Sequence, residues 1–259
     1  MKSLANENPA SLTFRKLSAI SGLAHGVFTR HGGVSLPPYE SLNVSWSNGD
    51  RPEAVLENLK RIKNAAELER LVSSRQLHGD NLVFVDEEFL EKLDARAHGL
   101  IAPPADALAT NISGLGILIK IADCQSILLA DPESRIIANI HCGWRGSVQN
   151  IAGKTVRRLK EQYGLNPEQT LAAVSPSLGP CCAEFINYRD EIPENLRSFQ
   201  VRPTYFDFWA ITRKQLEAEG ILSENMEFSG KCTVCGKADF FSYRAEGQTG
   251  RMASIIGWK

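Results

Sequence analysis

The apolar residues along the chain follow two patterns, one helical and one continuous. Arg51 to Leu71 carries Val55, Leu56, Leu59, Ile62 and Ala66 at helical spacing, with Pro52 suited to the first turn, and predicts one helix over that stretch. Ser147 to Tyr163 places Val148, Ile151, Ala152, Val156 and Leu159 on one face and stops near Gly164, with Pro167 beyond. Phe206 to Gly220 predicts a third helix through Phe208, Ile211, Leu216 and Ala218. The continuous pattern is centred on Ile117 to Leu129, apolar except for Lys120, Asp123, Cys124, Gln125 and Ser126, and on a second run from Arg135 to Ile140. Asp131 to Ser134 supply a turn between them. The expectation is two buried strands that bring Cys124 and His141 towards one site. Shorter strands are expected at Gly26 to Phe28, Asn81 to Asp86, just after Asp106, and at Thr170 to Val174.

Composition narrows the class. A chain of 259 residues, 43% apolar and 23% charged, predicts a globular protein, read as a single domain over 1–259 without repeats or linkers. A net charge of −1 offers nothing to attract nucleic acid or an anionic membrane surface. Met1 to Phe14 lacks the apolar core of a signal peptide, and no run approaches the roughly 18 apolar residues of a membrane span. A cytoplasmic location is therefore expected, and the six cysteines read as thiols or metal ligands rather than a disulfide scaffold.

Several short segments concentrate reactive side chains: Arg30-His31-Gly32-Gly33-Val34-Ser35, Gln76-Leu77-His78-Gly79, Ala122-Asp123-Cys124, and His141-Cys142-Gly143-Trp144-Arg145-Gly146. Read alone, Arg30 is a turn residue, His78 a structural histidine beside a glycine, and Asp106 a cap or turn residue. Cys181 and Cys182, being adjacent, read as two small packing residues. Cys232 and Cys235 supply one ligand pair where a structural zinc site needs two.

In their order along the chain these motifs, with Gly179-Pro180, Phe240-Phe241-Ser242-Tyr243-Arg244 and Thr249-Gly250-Arg251, resemble the YfiH-like family, labelled laccase-domain or polyphenol oxidase proteins and described as purine nucleoside phosphorylases. The resemblance implies an α+β fold, a layered α/β/β/α sandwich with mixed sheets like the catalytic domain of cytotoxic necrotising factor. It implies phosphorolysis of adenosine, inosine and methylthioadenosine, with adenosine deaminase activity. It also implies a zinc or copper ion held by the residues matching His78, Cys124 and His141, three ligands with an open fourth position. The substrates would be a purine nucleoside and phosphate. On position, Arg145 and Arg30 are expected at the phosphate, Asn43 and Arg244 at the substrate, and Asp123 in proton transfer or support of the ligand cysteine. Alanine usually follows the histidine that matches His141; here Cys142 stands there, facing away if the strand continues.

The laccase label meets a simple count. A blue copper site plus a three-copper cluster needs about ten histidines, and this chain has five: His25, His31, His78, His98 and His141. The His-x-Glu and Pro-Cys-x-x-Cys signatures of cytidine-type deaminases are also absent. Two further enzyme readings stay open, a cysteine hydrolase or deamidase built on Cys124 and His141 and a copper-dependent polyphenol oxidase, beside a non-catalytic binding module.

Overall fold

The apolar runs become the inner strands of two mixed sheets packed face to face. A computed structural model describes residues 9–96 and 99–259; the start of the chain and His98 lie outside the described residues. The first half of the chain supplies β1 (Ser11–Leu12), β2 (Leu23–Phe28), β3 (Arg70–Ser74), β4 (Leu82–Val85), β5 (Asp94–Arg96), β6 (Gly99–Ala102) and β7 (Ala107–Thr110). The second half supplies β8 (Leu115–Ile121), β9 (Gln125–Asp131), β10 (Ile136–Cys142), β11 (Leu171–Val174), the small hairpin β12 (Gln200–Arg202) and β13 (Tyr205–Phe206), then β14 (Met226–Phe228) and β15 (Met252–Trp258). One sheet has the order β1-β2-β15-β8-β3-β6-β5, and the other β14-β11-β9-β10-β7-β4.

Alternate side chains serve different layers. Leu128 and Ala130 of β9 join Ile117 and Ile119 of β8 in the core between the sheets. Ile127 and Leu129 face the other way, onto Ile151, Val156 and Leu159 of the helix Ile151–Tyr163. On the far side Leu118, Ala253 and Ile255 meet Val55, Leu59 and Ile62 of the helix Pro52–Ala66. The result is helix, sheet, sheet, helix, the layering that the resemblance implies. Both faces of the inner strands are covered, so they carry no polar alternation. Burying each such Val, Leu or Ile contributes about 1.5–3 kcal/mol. A polar bridge crosses the inter-sheet core: Ser126 Oγ bonds Ser254 Oγ at 2.8 Å, and Asn139 Nδ2 donates to the Ser254 carbonyl at 2.9 Å. Such a buried, paired network fixes how the sheets align.

The helices differ from the sequence expectation at their ends. The first stops at Ala66, because Glu67 is left-handed with φ of 54° and the chain turns into β3, which takes Leu71. The expected helix over 147–163 is two, Trp144–Val148 and Ile151–Tyr163; Asn150, at φ of 59°, breaks it and accepts the Gly153 N–H at 3.1 Å. The third begins at Phe208, where Asp207 caps the Ala210 N–H, and Phe206 lies instead in β13. The Ile117 to Leu129 run is also two strands, one in each sheet, so three strands rather than two surround the central motif. No helix among the described residues is long and apolar enough to cross a membrane.

Candidate active site

Ala122, Asp123 and Cys124 carry the chain from one sheet to the other. Asp123 takes φ of 80°, a left-handed conformation uncommon outside glycine, and makes the turn sharp. Its carboxylate receives Thr233 Oγ1 at 2.6 Å, Ser242 Oγ at 2.7 Å and the Arg244 N–H at 2.6 Å, while its carbonyl receives the Leu178 N–H at 2.8 Å. Groups from two loops and a helix start therefore hold the turn that presents Cys124. His141 reaches the same point from the end of β10, and His78, itself at φ of 60°, from the loop after β3. One donor atom from each of His78, Cys124 and His141 lies within 4.8 Å of the others. The imidazole rings meet edge to face, with centroids 4.8 Å apart.

Asp106 organises both histidines. Its buried carboxylate accepts the N–H groups of Leu77, His78 and Gly79 at 3.0, 2.9 and 2.8 Å and bonds His141 Nδ1 at 2.8 Å. The turn role expected from sequence is present, and orienting a site histidine is added to it. Burial alone would raise this carboxyl; the His141 ring and the Gly79 and Leu77 N–H groups hold it below its ordinary value. With Nδ1 engaged, Nε2 is the nitrogen left for Cys124 or an ion. Burial likewise opposes a charged thiolate, yet His141 and His78 bring Cys124 down to about 6. Burial pulls His141 down, while Cys124 and Asp106 outweigh it and raise it to about 9. Thiolate and imidazolium stabilise one another.

The three donors suit an ion. Two imidazoles and a thiolate are a zinc- and copper-compatible set, and one side of the group opens to solvent. Gly143 leaves the room: a Cβ there would stand 2.9 Å from Cys124 Sγ and 3.3 Å from His78 Cδ2. Cys142 is not part of the set; it is buried among the helix-side residues, with Sγ 3.2 Å from Ser147 Oγ.

The donors open into a cavity of about 1120 Å³. Arg75, Lys120, Arg145, Arg244 and Arg251 bring positive charge to its wall, and Trp144, Phe185, Phe208 and Tyr243 bring aromatic surface. Arg145 stacks on Trp144, its guanidinium carbon 4.3 Å from the ring centre. Lys120 donates to the Ser74 carbonyl at 3.0 Å, and burial pulls it down to about 8. Sequence reading noted it only as an interruption of an apolar run. Arg244 reaches the cavity while donating to the Glu184 carbonyl at 2.9 Å. Arg30 is elsewhere: it pairs with Glu246 at 2.9 Å, donates to the Lys237 and Glu40 carbonyls, and stacks on Phe241, away from the cavity wall. Asn43 is fully buried and acts at one remove, its Oδ1 accepting the N–H of Arg251 at 2.8 Å.

Two expectations about the remaining cysteines change. Cys181 and Cys182 are not simply packing residues, and Cys232 and Cys235 are not an isolated pair. All four sulfurs lie within 4.8 Å of one another. Parallel pairing of β11 with β14 brings together loops some fifty residues apart in sequence, which no local spacing reveals. The other described histidines lie outside both groups: His25 Nε2 accepts the Phe14 N–H at 2.9 Å, and the exposed His31 lies 3.2 Å from Asp239.

The family model described as multi-copper polyphenol oxidoreductase laccase matches residues 24–259. The chain is 31% identical to the purine nucleoside phosphorylase YlmD of Geobacillus stearothermophilus, over 92% of this chain and 90% of that protein. It is 32% identical to the purine nucleoside phosphorylase YfiH of Escherichia coli, over 91% and 93%. The crystal structure of the Geobacillus YlmD superposes with a TM-score of 0.87, covering 98% of both chains at 28% identity.

Proposed function

The chain belongs to the multi-copper polyphenol oxidoreductase laccase family, together with the YfiH and YlmD proteins, and on that premise we propose that it is a metal-dependent purine nucleoside phosphorylase with adenosine deaminase activity. One observation carries the reading: the His78, Cys124 and His141 donors open into a cavity whose wall combines several cations with aromatic rings. In phosphorolysis a phosphate oxygen forms a bond to the anomeric ribose carbon while the bond to the purine nitrogen breaks. The base leaves with the electron pair and takes up a proton. Arg145, which has no carboxylate partner among the described residues, and Lys120 are positioned to hold phosphate, and an arginine fork matches two of its oxygens. Trp144, Phe185 and Phe208 supply apolar surface for a purine. Asp123 is already engaged by three donors, which supports a role in holding the turn rather than shuttling a proton.

His78, Cys124 and His141 would hold zinc or copper, with Asp106 orienting His141. When bound, such an ion neutralises phosphate charge or lowers the pKa of a water. Only His78 and His141 of the described histidines share a site, so a multicopper cluster has too few ligands here.

A second reading has its own support. Cys124, His141 and Asp106 form a thiolate, imidazole and carboxylate series of the kind used by cysteine hydrolases. An assay of the pure protein with adenosine, with and without phosphate, separates the readings. Adenine formed only with phosphate supports phosphorolysis, and inosine formed without it supports deamination. Absence of both products with zinc or copper supplied removes the proposal, and turnover by fully metal-free protein favours the cysteine reading.

A further inference from the structure

Apart from the cavity, the molecule holds a second concentration of metal-ligating atoms. Cys181 and Cys182 sit in a turn after β11, where the Cys182 and Ala183 N–H groups both donate to the Gly179 carbonyl at 2.9 Å. That turn projects adjacent side chains to one side. Cys232 and Cys235 sit in the turn after β14, closed by the Gly236 N–H to the Cys232 carbonyl at 2.9 Å. The turns are laced together: Ser177 N–H donates to the Lys231 carbonyl at 3.1 Å, and Thr233 N–H to the Ser177 carbonyl at 3.0 Å. Gly179 lets them approach, since a Cβ on it would stand 3.0 Å from Cys232 Cβ. Cys235 Sγ is 3.6 Å from both Cys181 Sγ and Cys182 Sγ. In a tetrahedral zinc site with zinc-sulfur bonds of about 2.3 Å, neighbouring sulfurs stand roughly 3.8 Å apart.

We propose that Cys181, Cys182, Cys232 and Cys235 bind a structural zinc ion that clamps the loop after β11 to the turn after β14. The site is independent of the reading given for the cavity. Four sulfurs close the tetrahedron and leave no position for water or substrate, which is the structural rather than the catalytic arrangement. Backbone N–H groups of Cys235, Gly179 and Val234 point at the Cys232 sulfur and offset thiolate charge, and Arg202 donates to the Cys181 carbonyl at 2.8 Å. On binding, each ligating thiol releases its proton to solvent. The clamp also explains how the Asp123 turn is held. Thr233, between the two cysteines of one turn, donates to the Asp123 carboxylate, and Leu178, beside the other turn, donates to the Asp123 carbonyl. The zinc would thus brace the wall from which Cys124 emerges.

The test measures metal by mass spectrometry in the purified full-length protein after growth with zinc. Cys124→Ala, which disables the cavity site alone, is expected to retain one zinc per chain, and adding Cys232→Ser to it should leave none. In the Cys124→Ala protein, cobalt should replace this zinc and give a thiolate-to-metal absorption band that Cys235→Ser abolishes. Should Cys232→Ser fail to fold, the cobalt spectrum of Cys124→Ala alone still decides. A Cys124→Ala protein that holds no zinc and shows no such band overturns the proposal, whether its four thiols are free or joined as disulfides. Loss of phosphorolysis in Cys124→Ala with one zinc retained leaves this proposal standing and bears only on the cavity.

Discussion

The two groups of candidate metal ligands are built in opposite ways. His78, Cys124 and His141 mix nitrogen with sulfur, come from three separate segments and open on one side to a cavity of about 1120 Å³. The four cysteines offer sulfur alone, come from two turns already laced by main-chain bonds, and would by themselves fill a tetrahedron around the proposed zinc. In the first group much of the surrounding structure orients the donors: Asp106 holds His141 and the His78 turn, and three donors hold Asp123. In the second, the proposed zinc would add its four donors to the main-chain bonds that already join the turns. An open set costs orientation to maintain and gains access to substrate, whereas a closed set gives up access and ties loops together.

The largest effect that would sharpen this contrast is on turnover. Cys124→Ala or His141→Ala should reduce phosphorolysis to background with a small change in melting temperature, while Cys235→Ser should lower the melting temperature and leave phosphorolysis measurable below it. Equal effects of both changes on both properties would erase the distinction. Next in size is Asp106→Asn, which keeps the shape but loses the charge that supports His141. Metal affinity at the cavity should fall about 10–100-fold, restored in activity by excess zinc. Titration of activity against added zinc measures it, and an unchanged affinity would show that Asp106 serves the turn alone.

A smaller change is expected from Arg145→Lys. Losing one prong of a charge-assisted pair is worth about 1.4 kcal/mol, or about tenfold in KM for phosphate, while adenosine deamination falls much less. Equal loss in both reactions with a lower melting temperature would instead make Arg145 a brace for its turn. The smallest effect concerns pH. Burial has lowered Lys120 to about 8, so its charge is present below that pH and lost as pH rises through it. Phosphate KM should therefore climb severalfold above pH 8 in the wild type, and Lys120→Met should flatten that rise. A wild-type KM that stays level to pH 9 would remove Lys120 from the phosphate site.

Periodicity exposed what was one-sided. The helix packing of Val55, Leu59 and Ile62 was legible because the opposite face is polar. The split of Ile117 to Leu129 was not, since both halves are buried on both faces and no alternation marks the crossing. Of the five residues that interrupt the run, Asp123 and Cys124 lie in the crossing itself, while Lys120, Gln125 and Ser126 fall inside the strands. β15 was missed for a related reason, its small Ala253, Ser254 and Gly257 giving a weak strand signal despite complete burial. In the site, His78, Cys124 and His141 were legible through family resemblance, whereas the dual role of Asp106 and the meeting of two distant cysteine pairs depend on contacts far apart in sequence. Arg30, which alone reads as a turn residue, and Asn43 were expected at the substrate, and their side-chain bonds run to the surrounding loops.

β15 has a consequence for how the molecule is made. It lies between β2 and β8, antiparallel to both, although it follows every other strand in the chain. On the ribosome, β2 and β8 emerge well before it, each with an unpaired edge facing the gap that β15 will fill. Until that segment clears the exit tunnel, the nascent chain presents two apolar ladders open to pairing with a neighbouring polypeptide. The sheet is therefore completed from its middle after synthesis has passed β15. Trigger-type chaperones that shield emerging apolar segments should raise the soluble yield of this protein, and a stalled chain ending before Met252 should aggregate rather than fold.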